Sequence, residues 1–196
     1  MFPILLKRLS AAALLLLCAS CDVETVEVQP STPEPIEVTY TIPQGQHSTQ
    51  SPFKFTESTV MRFEATFDNT AVYTTTDPNN QADINKLYGM SDCGSDHHSN
   101  SARFGWRWYE NRLEIHAYTY HNKKRNTAYI ASVQLEETNR YELAIGEREY
   151  IFRVNDTEVS MPRFCEGVTS LGYQLYPYFG GDETAPHTVT IRIKDL

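Results

Sequence analysis

Residues 102–120 run Ala-Arg-Phe-Gly-Trp-Arg-Trp-Tyr-Glu-Asn-Arg-Leu-Glu-Ile-His-Ala-Tyr-Thr-Tyr. Apolar and polar side chains alternate on both sides of Glu110-Asn111, which is the period of a half-buried strand. With that dipeptide as a two-residue turn, Trp108 faces Leu113, Trp106 faces Ile115 and Phe104 faces Ala117 on one face. The opposite face sets Arg107 against Glu114, Gly105 against His116 and Arg103 against Tyr118. A slip of one residue would bury the charges, so the register is strongly specified.

The same pattern extends outward in both directions. Met61, Phe63, Ala65 and Phe67 alternate with Val60, Arg62, Glu64 and Thr66. A turn at Glu147-Arg148 pairs Leu143 with Phe152, Tyr141 with Val154 and Glu142 with Arg153. A further turn at Asp156-Thr157 pairs Val154 with Val159, and Val189, Ile191 and Ile193 form a closing strand. One short helix is expected over Asn79 to Leu87, with Asp77 as N-cap, Pro78 at its first position and Gly89 closing it. Capping also accounts for Asp77 better than calcium does, since Asp77, Asn79 and Asp83 lack the spacing of an EF-hand.

Serial antiparallel strands with almost no helix predict an all-β antiparallel sandwich or barrel. The long meander, Tyr-rich strands and terminal closing strand over residues 36–196 resemble the concanavalin A-like jelly roll of lectins and glucanases. An immunoglobulin-like sandwich is the alternative.

The amino terminus is of a different kind. Lys7 and Arg8 precede an apolar run, Leu9 to Leu17, too short to span a bilayer, and Cys18-Ala19-Ser20-Cys21 follows. This resembles the lipobox of bacterial lipoproteins, with Cys18 where leucine is usual. The resemblance implies cleavage before Cys21, diacylation of its thiol and attachment to a membrane of the bacterial cell envelope. An ordinary secretory signal cleaved nearby is the alternative. Residues 1–20 are then the signal peptide and residues 21–35, acidic and proline-rich, a tether. The anchored domain is then expected in the periplasm or at the cell surface.

Net charge is −8 over the whole chain. It becomes −10, from 15 basic and 25 acidic residues, once Lys7 and Arg8 leave with the signal. Such a balance argues against a nucleic-acid partner and against anionic headgroups. An anionic sugar polymer stays compatible, because arginines can cluster locally. Cys93 and Cys165 remain in the mature domain, and an oxidising compartment favours their pairing as a disulfide. Free thiols are the alternative. A metal site from Cys93, His97 and His98 is disfavoured, since adjacent histidines seldom bind one ion. No metal or cofactor is expected.

The polar face of the 102–120 hairpin is the leading candidate site. Arg103, Arg107, Glu114, His116 and Tyr118 share it, with the Gly105 backbone expected to lie exposed beside His116. Sugars take bidentate polar partners for their hydroxyls and an aromatic face for the C–H side of the ring. A solvated cross-strand ion pair, Arg107 with Glu114, is the plainer reading of part of this face. His97 and His98 sit in the polar loop leading into the hairpin, where binding groups are common. Tyr176 and Tyr178 fall on one face and offer a stacking platform, or else serve as rim aromatics.

Catalytic patterns fit poorly. The Glu-x-Asp-x-Glu strand of jelly-roll glucanases is missing, since His116 follows two residues after Glu114. Arg112-Leu113-Glu114, Glu114-Ile115-His116 and Tyr178-Phe179-Gly180-Gly181 resemble the alginate lyase motifs Arg-x-Glu, Gln-Ile-His and Tyr-Phe-Lys-Ala-Gly only in part. The lysine is absent and the first two overlap on one strand. The expected function is therefore non-catalytic binding of a glycan. The alternatives are a lyase or glycosidase acting on an acidic polysaccharide through His116 and a tyrosine, and a structural or assembly module of the envelope.

Overall fold

The computed structural model describes residues 34–167 and 169–196. The expected signal peptide (1–20), the expected lipidation site Cys21 and all but the last two residues of the expected tether (21–35) lie outside the described residues. Residues Glu34–Leu196 form one compact unit. Its strands in chain order begin with β1 (Glu37–Ile42), β2 (Phe55–Ser58), β3 (Val60–Phe67) and β4 (Asn85–Ser91). The next four are β5 (Asn100–Tyr109), β6 (Arg112–His121), β7 (Lys124–Val133) and β8 (Thr138–Ile145). The last are β9 (Glu149–Val154), β10 (Thr157–Pro162), β11 (Ser170–Leu175) and β12 (Val189–Asp195). They make two six-stranded antiparallel sheets, in the orders β1-β12-β3-β8-β9-β10 and β2-β11-β4-β5-β6-β7. The two pack as a jelly-roll β-sandwich, the architecture expected from the strand pattern.

The central hairpin pairs as its alternation requires: Trp108 with Leu113, Arg107 with Glu114, and Arg103 with Tyr118. Glu110 and Asn111 both take positive φ, 50° and 59°, which gives the turn the twist that a two-residue hairpin needs. The inward row carries Phe104 and Trp106, both fully buried. Phe104 packs edge-on to Phe63, Tyr141 and Phe152 of the facing sheet at 5.1–5.6 Å. Trp106 packs against Phe67, Tyr73 and Phe179. Each of these side chains contributes about 1.5–3 kcal/mol through burial, which makes this aromatic layer the main glue of the sandwich.

Three features of the expected pattern hold, namely the β8–β9 register, the alternation in β3 and the closing strand β12. Two details differ. The turn after β9 falls at Asn155-Asp156, so Val154 pairs with Thr157 and Val159 with Phe152. Asn155 supplies the positive φ of 49° that this turn requires. The residue faces are unchanged, because the shift is an even number of positions.

The expected helix is a 3-10 segment covering only Pro78–Ala82, with Asp77 capping it through Asn79 N–H at 2.9 Å. Lys86 to Gly89 belong instead to β4, an inner strand between β5 and β11. Most of β4 is buried, so it lacks the alternation by which half-buried strands are recognised. Gly89, rather than ending a helix, lets β4 and β5 approach, since a Cβ there would collide with Ala102 and Arg103.

Cys93 and Cys165 form a disulfide, with Cα atoms 5.5 Å apart. Beside it lies a buried ion pair, Arg163 Nε to Asp92 Oδ2 at 2.8 Å. Tyr150 donates its hydroxyl to the same carboxylate at 2.7 Å, joining the two sheets at this end.

Candidate ligand-binding cleft

The outer face of the second sheet holds a cleft of about 520 Å³. That is within the ordinary range for small-molecule and oligomer sites. Arg103 on β5 and Tyr118 on β6 are cross-strand neighbours in its floor. Lys86 of β4 lines it too, together with the segment after β11 that carries Tyr176, Tyr178 and Gly180-Gly181-Asp182. His97 and His98 contribute from the loop between β4 and β5.

Hydrogen bonds hold these walls in place. Tyr178 makes single-residue bridges to Ser48 and to Lys86, so the segment after β11 runs between two anchored neighbours. Gly180 N–H donates to Asn85 Oδ1 at 2.5 Å, and Gly180 sits at φ 87°, where a side chain would strike the Glu183 carbonyl. The Glu183 carboxylate accepts from the backbone N–H groups of Thr76 and Asp77, both at 2.8 Å. His47 stacks on Tyr178 with ring centres 5.2 Å apart. Such a supported wall keeps side-chain positions defined before any ligand arrives.

The cleft is cationic within an acidic protein. Lys86, Arg103 and Arg125 line it, against one carboxylate, Asp182, among its described lining residues. Lys86 Nζ donates to the Gly180 carbonyl at 2.6 Å and lies 5.2 Å and 5.6 Å from the ring centres of Tyr118 and Tyr178. Burial, and after it the charge of Arg103, pulls the Lys86 ammonium down to about 8.

Arg103 is only 7% exposed, and its Nε has no hydrogen-bond partner. No carboxylate pairs with it among the described residues. Burial lowers its pKa to about 10. Burial likewise raises the Tyr118 hydroxyl to about 12, with Tyr120 adding to the effect. His97 shares a hydrogen bond between Nδ1 and the Tyr173 hydroxyl at 2.9 Å. Its pKa is lowered to about 4, by burial first and then by His98, so the ring is neutral near pH 7.

Six of the nine residues singled out from sequence thus meet in one cleft: His97, His98, Arg103, Tyr118, Tyr176 and Tyr178. Tyr176 also packs on Tyr40 and Tyr88 with ring centres 5.8 Å away, so it is core rim as well as cleft wall. Arg107, Glu114 and His116 share the sheet face but not the cleft. Glu114 Oε2 accepts from Arg107 Nε at 2.8 Å and lies 3.2 Å from His116 Nε2, while Arg112 pairs with Oε1 at 3.2 Å. Burial works to raise the Glu114 carboxyl, and the bonds from Arg107 and His116 outweigh it and hold it below the usual range. The expected cross-strand pair of Arg107 with Glu114 forms, but it is not solvated: Glu114 is only 4% exposed. Gly105, expected to expose its backbone beside His116, is buried instead, with Ile84 packed over it.

Lys86, Tyr120, Arg125 and Asp182 line the cleft without having been singled out. Arg125 was legible in principle. Asn122 and Lys123, with positive φ of 45° and 64°, make a second two-residue turn that pairs Tyr120 with Arg125. Lys86 was hidden by the helix expectation.

Fold and cleft together define a jelly-roll β-sandwich with a concave-site geometry on one sheet. No family model matches the chain, and no curated protein sequence matches it. Among solved structures it is similar to the alginate lyase AlyC3, with a TM-score of 0.51 and 6% identity over 81% of this chain and 72% of the lyase. It is also similar to a functionally unknown protein from Saccharomyces cerevisiae, with a TM-score of 0.50 and 9% identity over 85% and 90% of the two chains. At such identities the likeness is one of fold.

Proposed function

We propose that this protein is a bacterial envelope lipoprotein whose β-sandwich binds a glycan in the cleft over Arg103 and Tyr118. The observation that carries the reading is the juxtaposition, in one supported cleft, of tyrosine rings with polar donors: Tyr118 and Tyr178 beside Lys86 and Arg103. The partly exposed Tyr178 ring offers an edge and face to sugar C–H groups over a floor that includes the buried Tyr118, while the cationic donors engage hydroxyl and acidic groups. The reading is of binding without hydrolysis, since two-carboxylate glycoside chemistry needs a pair of acids across the scissile bond. The described cleft lining offers Asp182 alone.

Lipid anchoring rests on Cys18-Ala19-Ser20-Cys21 and the apolar run before it. Its test is incorporation of labelled palmitate into the wild-type chain and loss of the label in Cys21→Ala. Glycan binding is tested on an array of neutral and acidic polysaccharides. A specific signal that weakens in Tyr178→Ala is expected, and silence across the array refutes it.

A second reading, a polysaccharide lyase, draws on Lys86, whose lowered pKa makes it a serviceable proton carrier beside Tyr118. It replaces His116, which the ion cluster around Glu114 engages. Ultraviolet absorbance from new unsaturated uronide ends, lost in Lys86→Met, would favour it over simple binding.

A further inference from the structure

The floor of the cleft contains a cation that the fold itself does not neutralise. Arg103 is more than nine-tenths buried, lines the cleft, leaves its Nε without a partner and pairs with no carboxylate among the described residues. Every other deeply buried charge described so far is compensated. Arg163 meets Asp92, and Glu114 meets Arg107 and Arg112. Burying an unpaired charge is expensive, and sequences remove such groups unless something outside the fold completes them.

Gly89 is part of the same arrangement. A side chain at that position would occupy the space of the Arg103 Cβ, so the strand beside Arg103 is cut back to admit it. Two further cations, Lys86 and Arg125, line the same cleft, on a chain whose net charge is −8. A local cationic pocket on an acidic surface selects for an anion.

From this we infer that the glycan is a polyuronate, and that Arg103 receives the carboxylate of a uronic acid unit in the floor of the cleft. A guanidinium offers a planar fork of N–H donors that matches a carboxylate and has no equivalent in a lysine. Tyr118, directly across from Arg103 and only 4% exposed, shares the cleft floor with it, and the partly exposed Tyr178 ring lines the wall beside them. The inference rests on the glycan reading and deepens it by naming the ligand's charged group.

The test uses the intact protein in detergent and three polyuronates: polygalacturonate, alginate and polyglucuronate. Each is paired with its carboxyl-reduced form, which keeps the ring and linkage and lacks the charge. At least one polyuronate is expected to bind, with its reduced form weaker by on the order of tenfold to a hundredfold, the value of hydrogen bonds to a charged group. Arg103→Met is expected to lose the same factor, and Arg103→Lys to recover only part of it. Thermal unfolding of both variants checks that they fold.

Equal binding of native and reduced polymers would overturn the carboxylate assignment while leaving the glycan reading standing. Binding that follows sulfate esters instead, read with carrageenan, would also overturn it. Silence from the charged polymers and from a neutral array alike would remove the glycan reading and this inference with it.

Discussion

Replacing both Cys93 and Cys165 with serine tests how the two sheets are held together at the end of the sandwich beside the cleft. The bridge closes a loop with a sequence separation of 72 residues. In the chain-entropy treatment, a loop of that length raises the free energy of the unfolded state by about 4 kcal/mol near room temperature. The buried pair Arg163–Asp92 and the Tyr150 hydroxyl bond span the same segments. The native structure should therefore survive the substitution, and the loss should sit in the unfolded chain.

Two signatures separate that mechanism from loss of native contacts. In urea unfolding the double variant should lose about 4 kcal/mol, a large part of the 5–15 kcal/mol that holds a typical domain. Its slope against urea should rise, because an unbridged chain exposes more surface on unfolding. Asp92→Asn with the disulfide intact should also destabilise, by about 3–5 kcal/mol, because it strands a buried guanidinium. That variant should leave the slope unchanged. A loss under about 1 kcal/mol in the serine variant, with an unaltered slope, would refute the chain-entropy account for this loop.

Arg103→Met should raise the unfolding midpoint by roughly 2–4 °C, since it removes an uncompensated buried charge at a cost of at least about 1 kcal/mol to the folded state. A lower midpoint would mean that the fold does satisfy this arginine. Glu114→Gln should destabilise by about 1–3 kcal/mol through weakened charged hydrogen bonds, with glycan affinity unchanged. Because the Glu114 carboxyl is held below its usual range, the stability it contributes is present above the ordinary glutamate pKa. It should fade as pH falls through the lowered value, which thermal melts of both proteins across acid pH would reveal. His97 behaves with the opposite charge type but the same direction. Its pKa falls to about 4 in the fold, so between the ordinary histidine value and pH 4 the unfolded chain binds the extra proton. Stability should drop over that window on acidification, and His97→Asn should flatten the drop in the same melts.

How far each part of the molecule was legible follows from what each pattern reports. The hairpin around Glu110-Asn111 could be read to the residue, because its inward row is wholly apolar and a one-residue slip would drive Arg103, Arg107 and Glu114 into the aromatic core between the sheets. Alternation likewise exposed β3, β8, β9 and β12, whose two faces meet different surroundings. It was silent on β4, which is buried along most of its length, so Lys86 was lost to a supposed helix. The capping residues Asp77 and Pro78 were identified correctly, yet they open only a 3-10 turn. Capping chemistry marks where a helical turn starts and says nothing of how long it runs.

The sequence alone also settled which residues share the outer face of the hairpin, from Arg103 to Glu114 and Tyr118. Only the tertiary structure divided that face into a cleft and an ion cluster. Arg112 and Arg107 close on Glu114, and Ile84 covers Gly105, whereas nothing acidic reaches Arg103 among the described residues. Side-chain alternation is a local consequence of strand geometry, so it can be read along the chain. Whether a buried charge finds a partner depends on which distant segments the fold brings beside it, and no local pattern carries that information.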